Sequence, residues 1–104
     1  MSRDQVKNIV KAFAKELRRQ DFPFTQIFLY GSYATGKATS GSDIDVCVVS
    51  KKFSGNKGDA YERKLWVVRR VVDSRIEPIG MTPEDLKSWS PLAHEIRKTG
   101  VKIV

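Results

Sequence analysis

Apolar residues recur at helical spacing near the start of the chain. Val6, Ile9, Val10, Phe13 and Leu17 share one face, while Lys7, Lys11, Lys15 and Arg18 fall mostly elsewhere. This stripe predicts an amphipathic helix over residues 2–19. Ser2 followed by Gln5 resembles a capping box and marks its start. Pro23 breaks the helical pattern, and Ile27-Phe28-Leu29-Tyr30 is a short apolar run of strand character. Gly31-Ser32 ends that run abruptly. Tyr33 to Ser42 is small and polar, which predicts a short helical turn followed by a loop. β-Branched residues return between Asp43 and Val49, the second predicted strand.

Lys51 to Gly58, with three lysines and two glycines, reads as a mobile surface loop. Asp59 with Glu62 suggests another helix start, after which Tyr61, Leu65, Val68 and Val72 share a face at helical spacing. The stretch Val67 to Val72 has strand character as well, so the end of this helix is left open. Ser74 to Gly80 predicts a third strand, placed at a sheet edge or ending there because Pro78 cannot donate to a ladder. Thr82-Pro83-Glu84-Asp85 combines a capping Thr, Pro at the first helical position and acids in the first turn. Ser90-Pro91 opens a further helix with Gly100 as its stop, and Val101 to Val104 can add a short last strand. The order of elements predicts a small α/β domain.

Length and composition bound this picture. At 104 residues the chain is expected to form one domain, spanning 1–104, that buries roughly two thirds of the surface its unfolded form exposes. Apolar stretches fall far short of the roughly 20 residues that cross a membrane, and the spaced apolar residues at the N-terminus are not those of a signal peptide. A single cysteine excludes an internal disulfide and fits a reducing, cytoplasmic setting. The balance of 19 basic to 12 acidic residues, a net charge of +7, suits nucleic acid, nucleotide phosphates or an acidic protein partner. Positives spread along the chain also serve simply to solvate helix faces, so charge alone selects no function.

Chemistry concentrates around Asp43-Ile44-Asp45. Alternate residues of a strand point the same way, which puts the two carboxylates on one face with Cα atoms about 6.5–7 Å apart. Ile44, Val46 and Val48 then point to the opposite, buried face. Like charges on one face call for something positive between them, and Mg²⁺ prefers a couple of carboxylates together with substrate phosphates. An isolated D-x-D is more often an exposed strand end than a metal site. The segment upstream changes the balance: Gly31 lets backbone amides approach a phosphate closely, and Ser32 offers a hydroxyl and an amide at a helix start.

Gly31 to Lys37 also satisfies G-x-x-x-x-G-K, the opening of a P-loop, but Ala38 stands where a P-loop needs Ser or Thr for Mg²⁺. The acids also open the next strand rather than following its apolar run. An EF-hand fails because Cys47 occupies a ligand position and no Gly follows.

Gly31-Ser32, ten residues, then Asp43-x-Asp45 (GSYATGKATSGSDID) resembles the G-S-x10-D-x-D signature of the DNA polymerase beta-type nucleotidyltransferase superfamily. In size and element order the chain is similar to that superfamily's minimal nucleotidyltransferases, which implies a small mixed β-sheet packed by helices. Members that catalyse usually carry a third carboxylate on a neighbouring strand. Glu77 fits by position and would be a third metal ligand or the base for an attacking hydroxyl, although the family more often has Asp there. Asp73 is its rival and is better placed to cap a helix end. Lys37 is a candidate triphosphate contact, or a solvated loop lysine. Cys47 reads as packing, His94 beside Glu95 as a surface or capping residue, and Trp66 and Trp89 as core or partner surface.

The resemblance implies Mg²⁺-dependent transfer of a nucleoside monophosphate, AMP from ATP, to a hydroxyl of a protein or nucleic acid. Asp43, Asp45 and Glu77 would serve as metal ligands and catalytic groups, with Gly31, Ser32 and Lys37 on the nucleotide. Minimal nucleotidyltransferases are commonly paired with a HEPN-domain ribonuclease toxin, which implies an antitoxin that modifies a toxin tyrosine. Two alternatives stand beside this: a binding module that neutralises its partner by contact, and a basic nucleic-acid-binding domain. No membrane partner is expected, and the oligomeric state is left open.

Overall fold

The computed structural model describes residues 1–104. Helix α1 spans Arg3–Arg19 behind a capping box in which Ser2 and Gln5 each satisfy the other's backbone amide. It buries Val6, Val10, Phe13, Ala14 and Leu17, so the predicted stripe is the packed face. Strand β1 (Gln26–Tyr30) leads into a single-turn helix α2 (Ser32–Thr35), and β2 (Ile44–Val49) follows after the polar loop. Helix α3 (Gly58–Arg69), β3 (Ile76–Met81), the short α4 (Pro83–Leu86), α5 (Pro91–Thr99) and β4 (Val101–Lys102) complete the chain.

The four strands form one mixed sheet in the order β3-β2-β1-β4. β1 runs antiparallel to both β2 and β4, whereas β2 and β3 are parallel. Pro78 therefore lies on an edge strand, where a missing N–H is tolerated. One sheet face, carrying Ile27, Leu29, Ile44, Val46, Val48 and Ile76, packs with α1 and the Leu65–Val68 side of α3. The other face places Cys47, Val49 and Met81 beneath Ala93 and Ile96 of α5, with Phe28, Tyr30 and Ile79 at the margin.

Two local expectations differ from the observed chain, and the open end of α3 takes one of its two forms. The segment after Ser50 is not simply a loop: Lys51–Phe53 forms a 3-10 turn in which the Lys52 amide donates to the Ser50 hydroxyl. Phe53 anchors it, with its ring 5.9 Å from that of Phe22, so an aromatic contact outweighs the loop-like composition. Helix α3 begins at Gly58 without a side-chain cap, rather than on Asp59. Val67 to Val72 is helix and turn, not strand, with Val67 and Val71 exposed. Its alternation of faces comes from a helix whose outer side also carries valines.

Candidate active site

The register of the sheet builds the site. Tyr30 on β1 pairs with Asp45 on β2, and Asp45 pairs with Glu77 on β3. Paired residues project to the same side, so these three side chains form one row across three strands, each about 4.8 Å from the next. The adjoining row, Phe28–Cys47–Ile79, lies on the same face and is apolar. Helix α5 covers Cys47 at the centre of that apolar row and leaves the polar row at its edge.

Gly31 sits immediately beyond Tyr30 with φ +75° and ψ −151°, a conformation that only glycine adopts readily. A Cβ at this position would overlap the Asp45 Oδ2 atom. Glycine is therefore required twice here, for the turn out of β1 and for the closeness of the carboxylate. Its carbonyl accepts from the Ala34 and Thr35 amides, which fixes α2 directly after the turn. The first amides of a helix lack partners within it, and the turn that opens α2 lies directly against the Asp45 carboxylate. Arg3 reaches across from α1 to donate to the Ala34 carbonyl at 3.1 Å and tethers the far end of α2.

Asp45 is half-buried, while Asp43 lies just outside β2 and is exposed, as is Glu77. Burial first, then the negative fields of Glu77, Asp43 and Glu95, hold the Asp45 carboxyl above its ordinary value. The salt bridges of the protein are Arg19–Glu16 and Arg75–Asp73, so no basic side chain neutralises Asp43, Asp45 or Glu77. Tyr30 is pushed upward too, by burial and then by Asp45, which keeps its phenol neutral and able to donate.

No group of three His, Cys, Asp or Glu side chains is gathered closely enough to hold a metal ion by itself. The donor set instead suits a cation that completes its shell with substrate oxygens, as Mg²⁺ does with one or two carboxylates and phosphates.

The remaining candidates separate cleanly. Asp73 accepts from the backbone amide and guanidinium of Arg75, and this engagement lowers its carboxyl below the usual range. It is a local cap rather than a partner of Asp45. Lys37 is exposed beyond α2, its amide held by the Ser32 carbonyl. Burial raises the Cys47 thiol to about 12, so it packs and does not react. His94 is exposed on α5. Sequence reasoning passed over Glu95, whose charge acts on both Asp45 and Tyr30. Its signal, an acid next to buried Ile96, has meaning only once α5 is known to cover the face that carries Asp45. The P-loop alternative is closed as well, because β2 returns antiparallel to β1 without a crossover helix.

A mixed sheet that ends in a glycine turn against a row of unpaired carboxylates is the framework of a nucleotidyltransferase. The chain belongs to the Nucleotidyltransferase domain family, which it matches over residues 8–101. It is 31% identical over 110 aligned positions to MJ1305, an inferred protein adenylyltransferase of Methanocaldococcus jannaschii, covering all of this chain and 74% of the relative. Three solved structures share the fold. An inferred nucleotidyltransferase from Sulfolobus solfataricus superposes with a TM-score of 0.68 at 18% identity, over 96% of this chain and 80% of that one. The toxin–antitoxin MntA-HpeT, as a mutant with two Asp-to-Glu changes two positions apart, gives 0.64 at 21%, over 90% and 71%. A toxin–antitoxin with AMP-PNP gives 0.61 at 26%, over 94% and 72%. No helix is long and apolar enough to cross a membrane.

Proposed function

We propose that this nucleotidyltransferase moves AMP from ATP to a hydroxyl of a protein partner, with Mg²⁺ held by Asp43 and Asp45. The observation that carries the reading is the glycine turn at Gly31 pressed against Asp45. Backbone amides that receive a triphosphate and carboxylates that hold its cation thereby meet at one point. In the transfer, a bond forms from the acceptor oxygen to the α-phosphorus as the bond to pyrophosphate breaks. Bound Mg²⁺ would supply activation of the attacking oxygen and stabilisation of the leaving pyrophosphate.

The protein's own residues do the rest. Gly31 and Ser32 hold the triphosphate, and Lys37 offers it a cation from the loop. Glu77, beside Asp45 in the register, serves as third ligand or takes the acceptor proton. Its exposure leaves it free to turn toward a metal or an acceptor.

A toxin partner is supported by the MntA-HpeT structure and by the toxin–antitoxin with AMP-PNP. The two changes in the former have the spacing of Asp43 and Asp45 here. On this reading the acceptor is a tyrosine of a HEPN-domain toxin and the protein is its antitoxin. Incubation with labelled ATP, Mg²⁺ and a HEPN partner should label the partner, and Asp43→Asn with Asp45→Asn should abolish the label. A double variant that still silences the partner fully would instead establish neutralisation by contact.

A further inference from the structure

At the opposite end of β2 from Asp45, about 16 Å along the strand, two shallow clefts carry chemistry that nucleotidyl transfer does not use. One, of about 230 Å³, is lined by Phe24, Ser50, Lys51 and Lys52 among others. The second, of about 260 Å³, is lined by Lys57, Ala60, Tyr61 and Lys64. They are joined through Lys52, whose Nζ lies 6.0 Å from the centre of the Tyr61 ring. Beneath them Phe22 contacts both Phe53 and Tyr61, with ring centres 5.9 and 5.8 Å apart, so the floor of the surface is a packed aromatic cluster.

All four lysines are exposed and none takes part in a salt bridge. The nearby acids of α3, Asp59 and Glu62, line a separate cleft with Arg63 and Trp66. Each aromatic ring at the edge of the basic surface is roofed by a cation, Tyr61 by Lys52 and Phe24 by Arg18 at 5.1 Å. A cation over a ring marks a face that a flat group can enter if the cation swings to an adjacent anion.

We propose that this surface binds single-stranded nucleic acid, the lysines meeting phosphates and the Phe24 and Tyr61 rings meeting bases. Stacking platforms interleaved with a cationic track are how such strands are held without sequence readout. An acidic protein would use the lysines but would leave the ring faces idle. The surface is separate from the carboxylate row, so the proposal does not depend on the transfer reaction.

Fluorescence anisotropy with a labelled oligouridylate of about 12 nucleotides tests it, a length within the usual span of such sites. If all four lysines contact phosphate, the log–log salt slope is near −2.8, and affinity falls roughly 50-fold between 50 and 200 mM salt. Replacing Lys51, Lys52, Lys57 and Lys64 by Gln should remove most of that slope. The same exchange at exposed Lys11, Lys15, Lys87 and Lys98, which alters net charge equally, should leave most of it. Phe24→Leu should weaken binding about fivefold or more, and Asp45→Asn should not weaken it. Equal losses from both lysine sets would overturn the proposal, as would tight binding of an acidic peptide with none of the oligonucleotide. Circular dichroism of each variant checks that the fold is retained.

Discussion

Two adjacent rows on one face of the sheet have opposite designs. Phe28–Cys47–Ile79 is apolar and buried at its centre under α5, while Tyr30–Asp45–Glu77, one step along the same strands, holds two carboxylates that no cation pairs with. The first row gains from leaving water, and the second is strained by its own charge. Proteins keep such uncompensated clusters where a ligand supplies the missing charge, and perturbed carboxyls gather at functional sites for that reason. The contrast teaches that stability and activity are carried by neighbouring residues of one strand, and so they can be separated by mutation.

The largest separation is expected at Asp45. Asp45→Asn should lower nucleotidyl transfer by about 10²–10³-fold, the scale seen when one charge-stabilising group is removed from an active site. Without ligand its thermal midpoint should stay level or rise, because a repulsive charge has gone. A marked drop in the midpoint would make Asp45 a structural residue and dissolve the contrast. In the apolar row the sign reverses. Ile96→Ala, at the centre of the α5 cover, should cost about 2–5 kcal/mol by denaturant unfolding. Transfer by the fraction that remains folded should be near normal.

Gly31 joins the two designs, and its effect is intermediate. Gly31→Ala places a Cβ against Asp45 and forces a side chain into a glycine-only conformation. The conformational strain alone is about 1–3 kcal/mol, and transfer should fall with it because the turn must shift away from the carboxylate. Equilibrium unfolding together with the transfer rate checks both. Loss of stability with full activity would remove the turn from the site.

How far the rows were legible in the sequence follows from what each required. Asp43-x-Asp45 and Gly31-Ser32 are local, and strand alternation alone puts Asp45 opposite Ile44, Val46 and Val48, as found, while Asp43 stands just before the strand. The capped starts at Ser2, Thr82 and Ser90 are local as well and appear where expected. Register is not local. That Glu77 lies beside Asp45, and Tyr30 on its other side, depends on β3 joining parallel and β1 antiparallel. Glu95 reaches the row only through the packing of α5. The 3-10 turn at Lys51–Phe53 was hidden because its anchor is the distant Phe22, which composition within the segment does not reveal.

The smallest expected effect tests the exclusion of Asp73, the rival of Glu77 for the third place. Asp73, held below its ordinary range chiefly by the Arg75 guanidinium, stabilises the fold while it is ionised. A carboxyl lowered on folding contributes stability that is present above its unfolded value and is lost as pH falls through the folded one. Wild type should therefore melt slightly above Asp73→Asn at neutral pH. The gap should close on acidification through and below the normal aspartate range, with transfer unchanged at neutral pH. Asp45 is shifted the opposite way and carries the opposite sign: its ionisation destabilises the ligand-free fold as pH rises through its window. A parallel set of melting curves for Asp73→Asn and Asp45→Asn across that range would show the two gaps moving in opposite directions. If both moved together, Asp73 would share the field of the polar row, and its exclusion from the site would be wrong.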